Sequence, residues 1–257
     1  MKARRRGVMW DLDLTEGIDL TIYVLGAFEW DTLRALESLV PSGATVLDIG
    51  ANIGAHTLHL ARLVGERGRV FAFEPTDYAV AKLRANLKAN PDLAPRVEVH
   101  QAFLVADPRA APVAALASSW PVDGTKPDDK EMASRAMGLS GATVTTLDDT
   151  MARAGNPDVR LVKMDIDGHE LEVLQGARGL LESRRPIIVM ELAPYVFRPP
   201  EKFDQMVGLL SGLGYTFRGL GLRHDLPSDA SRLKALISNE GSLNVVAIPA
   251  PCRDSAP

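Results

Sequence analysis

Short runs of β-branched and aromatic residues alternate along the chain with longer stretches whose apolar positions recur every three or four residues. "TVLDI" at 45–49 reads as a buried strand, and "IGAHTLHLARLV" after it keeps apolar residues at helical spacing. "RVFAFE" at 69–74 is a second strand, followed by a helix over 76–90 with Thr76 or Asp77 as its cap. "RVEVHQAFLV" from 96 supplies a third strand, bent near Gln101. The rhythm resumes with "ATVTTLDDTMARAG", strand "VRLVKMDI", one helix "GHELEVLQGARGLLES", strand "PIIVMEL" and a helix near 201–213. "YTFRGL" and "LNVVAIP" close the pattern as strands.

Residues from about 107 to 140 break this rhythm, with Pro108, Pro112, Pro121 and Pro127 among charges. They read as an excursion from the core: a loop, a small added strand pair or a lid. Strands alternating with helices predict a doubly wound α/β fold with a mostly parallel sheet covered on both faces. Ligands of such sheets bind beyond the C-terminal ends of the strands. The residues that matter there are Asp48, Glu74, Asp165 and Glu191, all acidic.

Composition narrows the class. The chain has 257 residues, 46% hydrophobic and 24% charged, with mean hydropathy near zero, as in an ordinary soluble domain. A net charge of -4 argues against a broad nucleic-acid footprint. Lys2, Arg4, Arg5 and Arg6 form the one dense basic cluster, read as a solvated terminus. No apolar run follows them as in a signal peptide, and no 18-residue apolar stretch is present to span a membrane. A lone cysteine, Cys252, forms no internal disulfide, so a cytoplasmic location is expected.

The turn after the first strand carries the chemistry. A dinucleotide fingerprint needs glycine at its middle position, so that the backbone can approach a pyrophosphate. Here the order is Gly50-Ala51-Asn52-Ile53-Gly54, and no Lys-Ser/Thr pair follows to make a P-loop. Asp48 before the turn repels phosphate and welcomes an amine. S-adenosylmethionine meets these demands, with an ammonium, a sulfonium and no phosphate. Glu74 lies roughly 20 residues beyond the turn, the spacing at which an acid meets a ribose. Gly50 lets the backbone pass close to the ligand, and Gly54 lets the first helix pack tightly. Ala51, Asn52 and Thr57 around the turn, Pro75 after Glu74, and Ala102 just past the bend of the third strand complete the candidate cofactor seat, to which Asp165 adds a strand-end carboxylate.

"VLDIGANIGAHTLHLA", "GRVFAFEP", "TLDD" and "LVKMDIDGHELEVLQGA" together resemble the FkbM-type methyltransferases, a branch of the class I S-adenosylmethionine-dependent enzymes. The resemblance spans roughly residues 26 to 192. It implies a Rossmann-like seven-stranded sheet with the last strand antiparallel, and O-methylation of a hydroxyl on a sugar or a glycosylated or polyketide metabolite. "LGAFEWDTLRAL" looks like the family's segment before the glycine turn, with Glu29 at its acidic position. The expected organisation is an N-terminal segment, 1–40, packing on a methyltransferase domain, 41–257.

Methyl transfer from a sulfonium is an in-line displacement, so the acceptor must be held in near-attack geometry. A hydroxyl acceptor also needs its proton removed, or polarisation by a metal. Asp165 and Glu191 at neighbouring strand ends suit a base whose pKa the other charge raises, or a shared Mg2+. Asp167 is read as the N-cap of the next helix, with Glu170 completing a capping box. His169, in that first turn, is a candidate facing the acceptor. His56 is placed near the cofactor, His59 in packing, and His224 at the pocket mouth. Lys163 shares a strand side with Asp165 and is a partner for a carboxylate there. Trp120 is a candidate for stacking on a sugar or macrocycle, while Trp10 and Trp30 read as packing residues.

The expected partner is a hydroxylated small molecule, with no nucleic acid and no membrane, and with homo-oligomerisation open. Two other classes compete: a nicotinamide oxidoreductase, which Asn52 and Asp48 oppose, and a cofactor-binding module without catalysis, which the paired acids Asp165 and Glu191 oppose. Nitrogen and protein acceptors also stay open.

Overall fold

A computed structural model describes residues 1–109, 115–122, 135–221, 225–237 and 241–251. The chain divides into two units, residues 1–103 with 109–145, and residues 104–108 with 146–257. His224 and Cys252 lie outside the described residues, as does much of the 107–140 excursion.

The first unit opens with a hairpin, β1 (Lys2–Arg5) and β2 (Val8–Asp11), and two helices, α1 (Gly17–Leu25) and α2 (Trp30–Leu39). Then come β3 (Thr45–Ile49), α3 (Thr57–Val64), β4 (Arg69–Phe73), α4 (Asp77–Lys88) and β5 (Val97–His100). Strands β3, β4 and β5 run parallel in that order, with Thr45 beside Arg69 and Val70 beside Val97. Their near-continuous apolar runs fit strands buried on both faces, since Val46, Leu47, Val70 and Ala72 are wholly buried. Trp10 is also fully buried, and β2 is tied to α4 and the residues just after it by Asp11 N donating to Asn86 Oδ1 and Met9 N to Asn90 Oδ1, each at 2.8 Å.

The third predicted strand is two. After β5 the chain breaks at Gln101 and continues as β6 (Ala102–Leu104), which pairs with β9 (Thr143–Thr145) instead of β4. Within the excursion, β7 (Ala115–Ser119) and β8 (Arg135–Gly138) form an antiparallel ribbon, one of the three forms expected for it. Its outgoing side is anchored by Gly17 N donating to Trp120 O and Val122 N to Thr15 O, both at 2.8 Å, and by Trp120 N to Glu16 Oε2 at 2.9 Å. On its return side the Asp77 carboxylate accepts from Ser140 Oγ at 2.6 Å, Ser140 N at 3.1 Å, Gly141 N at 3.0 Å and Gln101 Nε2 at 2.6 Å.

The second unit contains α5 (Leu147–Arg153), β10 (Val159–Met164), α6 (Glu170–Gln175), α7 (Arg178–Ser183) and β11 (Ile187–Leu192). It continues with α8 (Glu201–Gly212), β12 (Tyr215–Gly219), β13 (Asp225–Leu226), α9 (Ala230–Leu236) and β14 (Leu243–Pro249). Its strands lie in the order β13-β12-β14-β11-β10, with β10 and β11 parallel and β14 antiparallel to both neighbours. Phe203, Met206, Leu210 and Phe217 are among its fully buried side chains.

The doubly wound, Rossmann-like α/β class and the antiparallel last strand are both present. The strand count differs. Among the described residues the two units supply eight main strands, not seven, because Asp225 and Leu226 pair with Arg218 and Phe217 to add the short β13. The helix predicted from "GHELEVLQGARGLLES" is also interrupted, since α6 ends at Gln175 and α7 begins at Arg178. Backbone approaches closely there: a Cβ on Gly176 would sit 2.2 Å from Val105 O.

Candidate functional site

In the first unit, the turn after β3 combines three left-handed residues, Gly50 (φ 78), Asn52 (φ 46) and Gly54 (φ 92). Asparagine tolerates that region because its short amide bonds locally, and here Asn52 Oδ1 accepts from Ile53 N at 2.7 Å. The amides of Gly50 and Ala51 both donate to Phe73 O at 3.0 Å, fastening the turn to the end of β4. Glu74 follows at once and is buried. Its Oε2 accepts from Asn52 N at 3.0 Å, and its Oε1 from Thr76 N at 2.9 Å and Thr76 Oγ1 at 2.6 Å. Turn and strand-end acid are therefore one unit, not two neighbours.

Asp48 is fully buried, and its Oδ2 accepts from the buried Thr57 Oγ1 at 2.6 Å. Two predicted site residues thus bind each other, joining β3 to the first turn of α3. His56 stands in the same stretch, with Nε2 3.6 Å from Glu29 Oε2, so Glu29 reaches the turn from a left-handed residue (φ 48) at the start of α2. Pro75 is half-buried and Ala102 buried. His59 points elsewhere. It packs on Trp10 with ring centroids 6.0 Å apart, and burial, then the charge of Arg62, lowers its pKa to about 4. Packing was its expected role.

The second unit gathers acids at the ends of β10 and β11. Carboxylate oxygens of Asp165, Asp167 and Glu191 lie within 4.8 Å of one another, all three residues half-buried. Lys163 Nζ is 3.6 Å from Asp165 Oδ2, and this lysine is buried in β10. Burial raises the Glu191 pKa, and the Asp165 charge raises it further, against a hydrogen bond with Ser242 and the charge of Lys163. Burial lowers the pKa of His169, which occupies the position before α6.

The capping-box expectation fails here. His169, not Asp167, is the N-cap residue, and no side-chain cap bond is made. Asp167 instead adopts φ 51 and joins the acid cluster, while Gly168 (φ 94) passes so close to Val196 O that a Cβ would sit 2.8 Å away. Glu170 turns inward, where burial, and then the charges of Asp167 and Asp165, raise its pKa to about 8. Sequence reading missed both the clustering of Asp167 and the burial of Glu170. The usable signal was Asp165-x-Asp167-Gly168, because glycine after an acid pair marks a tight bend that aims both carboxylates together.

A parallel α/β core with a glycine turn after its first parallel strand and an antiparallel last strand defines the architecture of class I methyltransferases. Residues 48–217 match the methyltransferase FkbM domain. The chain belongs to the FkbM methyltransferase family. The hexuronic acid methyltransferase AglP of Haloferax volcanii is 28% identical over 162 residues, 63% of this chain and 61% of that protein. Among solved structures, the methyltransferase FkbM from Methylobacillus flagellatus has 21% identity and a TM-score of 0.52, covering 86% of this chain and 48% of that one. A putative rRNA-methylase from Clostridium thermocellum has 18% identity and a TM-score of 0.50, covering 84% and 92%. These two likenesses concern fold alone. The chain spans less than two thirds of the length of AglP and of the M. flagellatus protein. Among the described residues no helix is long and apolar enough to cross a membrane.

Proposed function

We propose that the protein transfers the methyl group of S-adenosylmethionine to a hydroxyl of a small molecule, a sugar or a glycosylated or polyketide metabolite. The observation that carries this reading is the cluster of Asp165, Asp167 and Glu191 beside Lys163. A hydroxyl becomes a competent nucleophile when a carboxylate takes its proton as the new bond forms. Glu191 is our candidate base, since its raised pKa brings it nearer the working range of a proton acceptor. Asp165 holds the Lys163 charge and positions the acceptor, and His169, whose pKa burial lowers, is retained as a further candidate in the turn before α6. The acceptor oxygen attacks the methyl carbon, the carbon–sulfur bond breaks, its electron pair stays on sulfur, and the hydroxyl proton passes to Glu191. A carbohydrate acceptor is favoured by the likeness to AglP, whose name describes a hexuronic acid substrate.

In the first unit, we assign donor binding to Glu29, Asp48, Gly50, Ala51, Asn52, Gly54, Thr57, Glu74, Pro75 and Ala102. Glu74 is the ribose acceptor in this assignment, and Asp48 acts through Thr57. We further assign residues 1–40 as a segment packing on the methyltransferase domain, supported by buried Trp10 and the bonds from Asp11 to Asn86 and from Met9 to Asn90. The net charge of -4 supports a small-molecule acceptor over nucleic acid.

A second reading gives Asp165, Asp167 and Glu191 a Mg2+ ion, because three clustered carboxylates suit a hard cation that prefers oxygen. Lys163 already supplies positive charge there, which favours the metal-free base.

The test is a methyl-transfer assay against a panel of hydroxylated metabolites and glycosides. Glu191→Gln and Asp165→Asn are expected to abolish turnover while S-adenosylhomocysteine affinity is retained. Wild-type rates in both variants would remove the carboxylates from the mechanism. Loss of activity with a chelator, restored by Mg2+, would instead select the metal.

A further inference from the structure

We propose that a recess between the β1–β2 turn, α2 and α3 binds a small aliphatic carboxylate, at a site separate from the donor seat. The recess has a volume of about 390 Å³ and is lined by Arg6, Leu33, Glu37, His59, Arg62 and Leu63, all in the first unit. Small-ligand sites commonly span about 300–1,000 Å³.

Arg6, read from sequence as part of a solvated terminus, is built into the two-residue turn that joins β1 to β2. Both turn residues are left-handed, Arg6 at φ 46 and Gly7 at φ 77. Such turns favour asparagine or glycine, so an arginine is held there at a conformational cost. Its guanidinium lies 4.5 Å from the centre of the Trp30 ring, and its Nη2 donates to Glu37 Oε1 at 2.6 Å. Arg62 on α3 donates to the Arg6 carbonyl. A Cβ on Gly7 would sit 3.1 Å from Arg62 Cζ, so the turn glycine makes room for that guanidinium. Both arginines are thus positioned in advance. Among the described residues, Arg6 commits only Nη2 and Arg62 only Nη1, which leaves further N–H groups of each fork for a ligand.

His59 is the second feature of the site. It is 5% exposed, its ring packs on Trp10, and no described residue hydrogen-bonds that ring. Buried polar groups ordinarily have a partner, and the recess that His59 lines is where one can come from. Burial, and then the charges of Arg62 and Arg6, keep the imidazole neutral near pH 7, against the charge of Glu37. A neutral imidazole offers one N–H donor.

The lining selects the ligand. Arg6 and Arg62 against Glu37 leave a single net positive charge, which suits a singly charged anion and disfavours a phosphate dianion. A guanidinium fork matches the two oxygens of a carboxylate. Leu33 and Leu63 supply an apolar wall, so the acid carries an aliphatic body. None of the residues assigned to the methyl donor lines this recess.

Calorimetric titration of the full chain with sodium hexanoate tests the proposal, with acetate and inorganic phosphate as comparisons. Saturable binding is expected for hexanoate, weaker binding for acetate and the weakest for phosphate. Arg6→Gln with Arg62→Gln should lower hexanoate affinity about tenfold or more. Leu63→Ser should lower it several-fold and leave acetate unchanged. The His59 ring signals in NMR spectra should move when hexanoate is added to wild type, and stay in place in the arginine double variant. Circular dichroism would check that each variant is folded. Hexanoate affinity should be the same with S-adenosylhomocysteine present. No saturable hexanoate binding, phosphate binding as tight as hexanoate, or affinity unchanged in the double variant would overturn the proposal. So would displacement of hexanoate by S-adenosylhomocysteine, which would put the acid in the donor seat. Titration with S-adenosylhomocysteine alone reports separately on the donor assignment.

Discussion

The backbone amide of Asn52 donates to Glu74 Oε2 at 3.0 Å, so the residue at the crest of the glycine turn is held by the acid that ends the next strand. Removing the carboxylate therefore affects both the shape of the turn and the group assigned to the ribose. Glu74→Ala is expected to weaken S-adenosylhomocysteine binding by about 1–3 kcal/mol, the usual loss when a charged hydrogen-bond partner is deleted. Calorimetry measures this directly, and unchanged affinity would refute the assignment of Glu74.

Gly54 and Gly208 should respond oppositely to alanine. At Gly54 the backbone is left-handed (φ 92), and a Cβ would sit 2.7 Å from Leu83 Cδ1 and 3.2 Å from Leu58 Cδ1. Gly54→Ala is expected to destabilise the protein by about 1–3 kcal/mol through strain and overpacking. Gly208 lies within helix α8 with no atom within 4 Å of its would-be Cβ, so Gly208→Ala should stabilise by about 0.5–1 kcal/mol. Denaturant titration of the two variants checks both signs.

Glu170 predicts a stability that falls with alkali. Its pKa rises from 4.5 to about 8 on folding, so between those values the native state holds a proton that the unfolded chain has lost. Stability must then decline as pH rises through this window. Glu170→Gln keeps an acceptor for Ile166 N and removes the titration. The variant should be more stable than wild type by roughly 1–3 kcal/mol at pH 8, and the gap should close at pH 4. A gap independent of pH would show that Glu170 is ionised in the native state.

His59 predicts the reverse slope. Its pKa falls from 6.5 to about 4, so between those values the unfolded chain binds the extra proton. Its contribution is complete above pH 6.5 and is lost on acidification toward pH 4. Because Glu170 titrates oppositely over part of this range, the comparison must be with a variant. Wild type should lose about 1–2 kcal/mol more than His59→Phe between pH 7 and pH 5. Parallel pH profiles would contradict a buried neutral imidazole.

Where the local pattern and the tertiary fold agree, the sequence was read to the residue. Strand β3 spans Thr45–Ile49 and β14 spans Leu243–Pro249, as their apolar runs predict. The misreadings share a cause, which is contact between distant positions. Helical periodicity runs unbroken through Gly176, yet α6 ends at Gln175 and α7 begins at Arg178, where the backbone of Val105 passes too close to admit a side chain at Gly176. Asp167 and Glu170 have the spacing of a capping box, yet the left-handed bend at Asp167 and Gly168 turns one carboxylate toward Glu191 and buries the other. The glycine turn and the acid ending the next strand were legible as local features, because glycine placement and acid spacing are local. That Asp48 binds Thr57 and Glu74 binds Asn52 was not, since spacing does not say which way a side chain points.

The Asp77 carboxylate has a consequence for how the family's scaffold can be varied. One side chain at the start of α4 grips Ser140 and Gly141, while Glu16 and Thr15 hold Trp120 and Val122 on the outgoing side. The proline-rich insertion is therefore fastened at Trp120 and Val122 and again at Ser140 and Gly141 by groups outside it. A change of chain length between these two anchor points should cost little stability, since the entropy of closing a loop grows only slowly with its length.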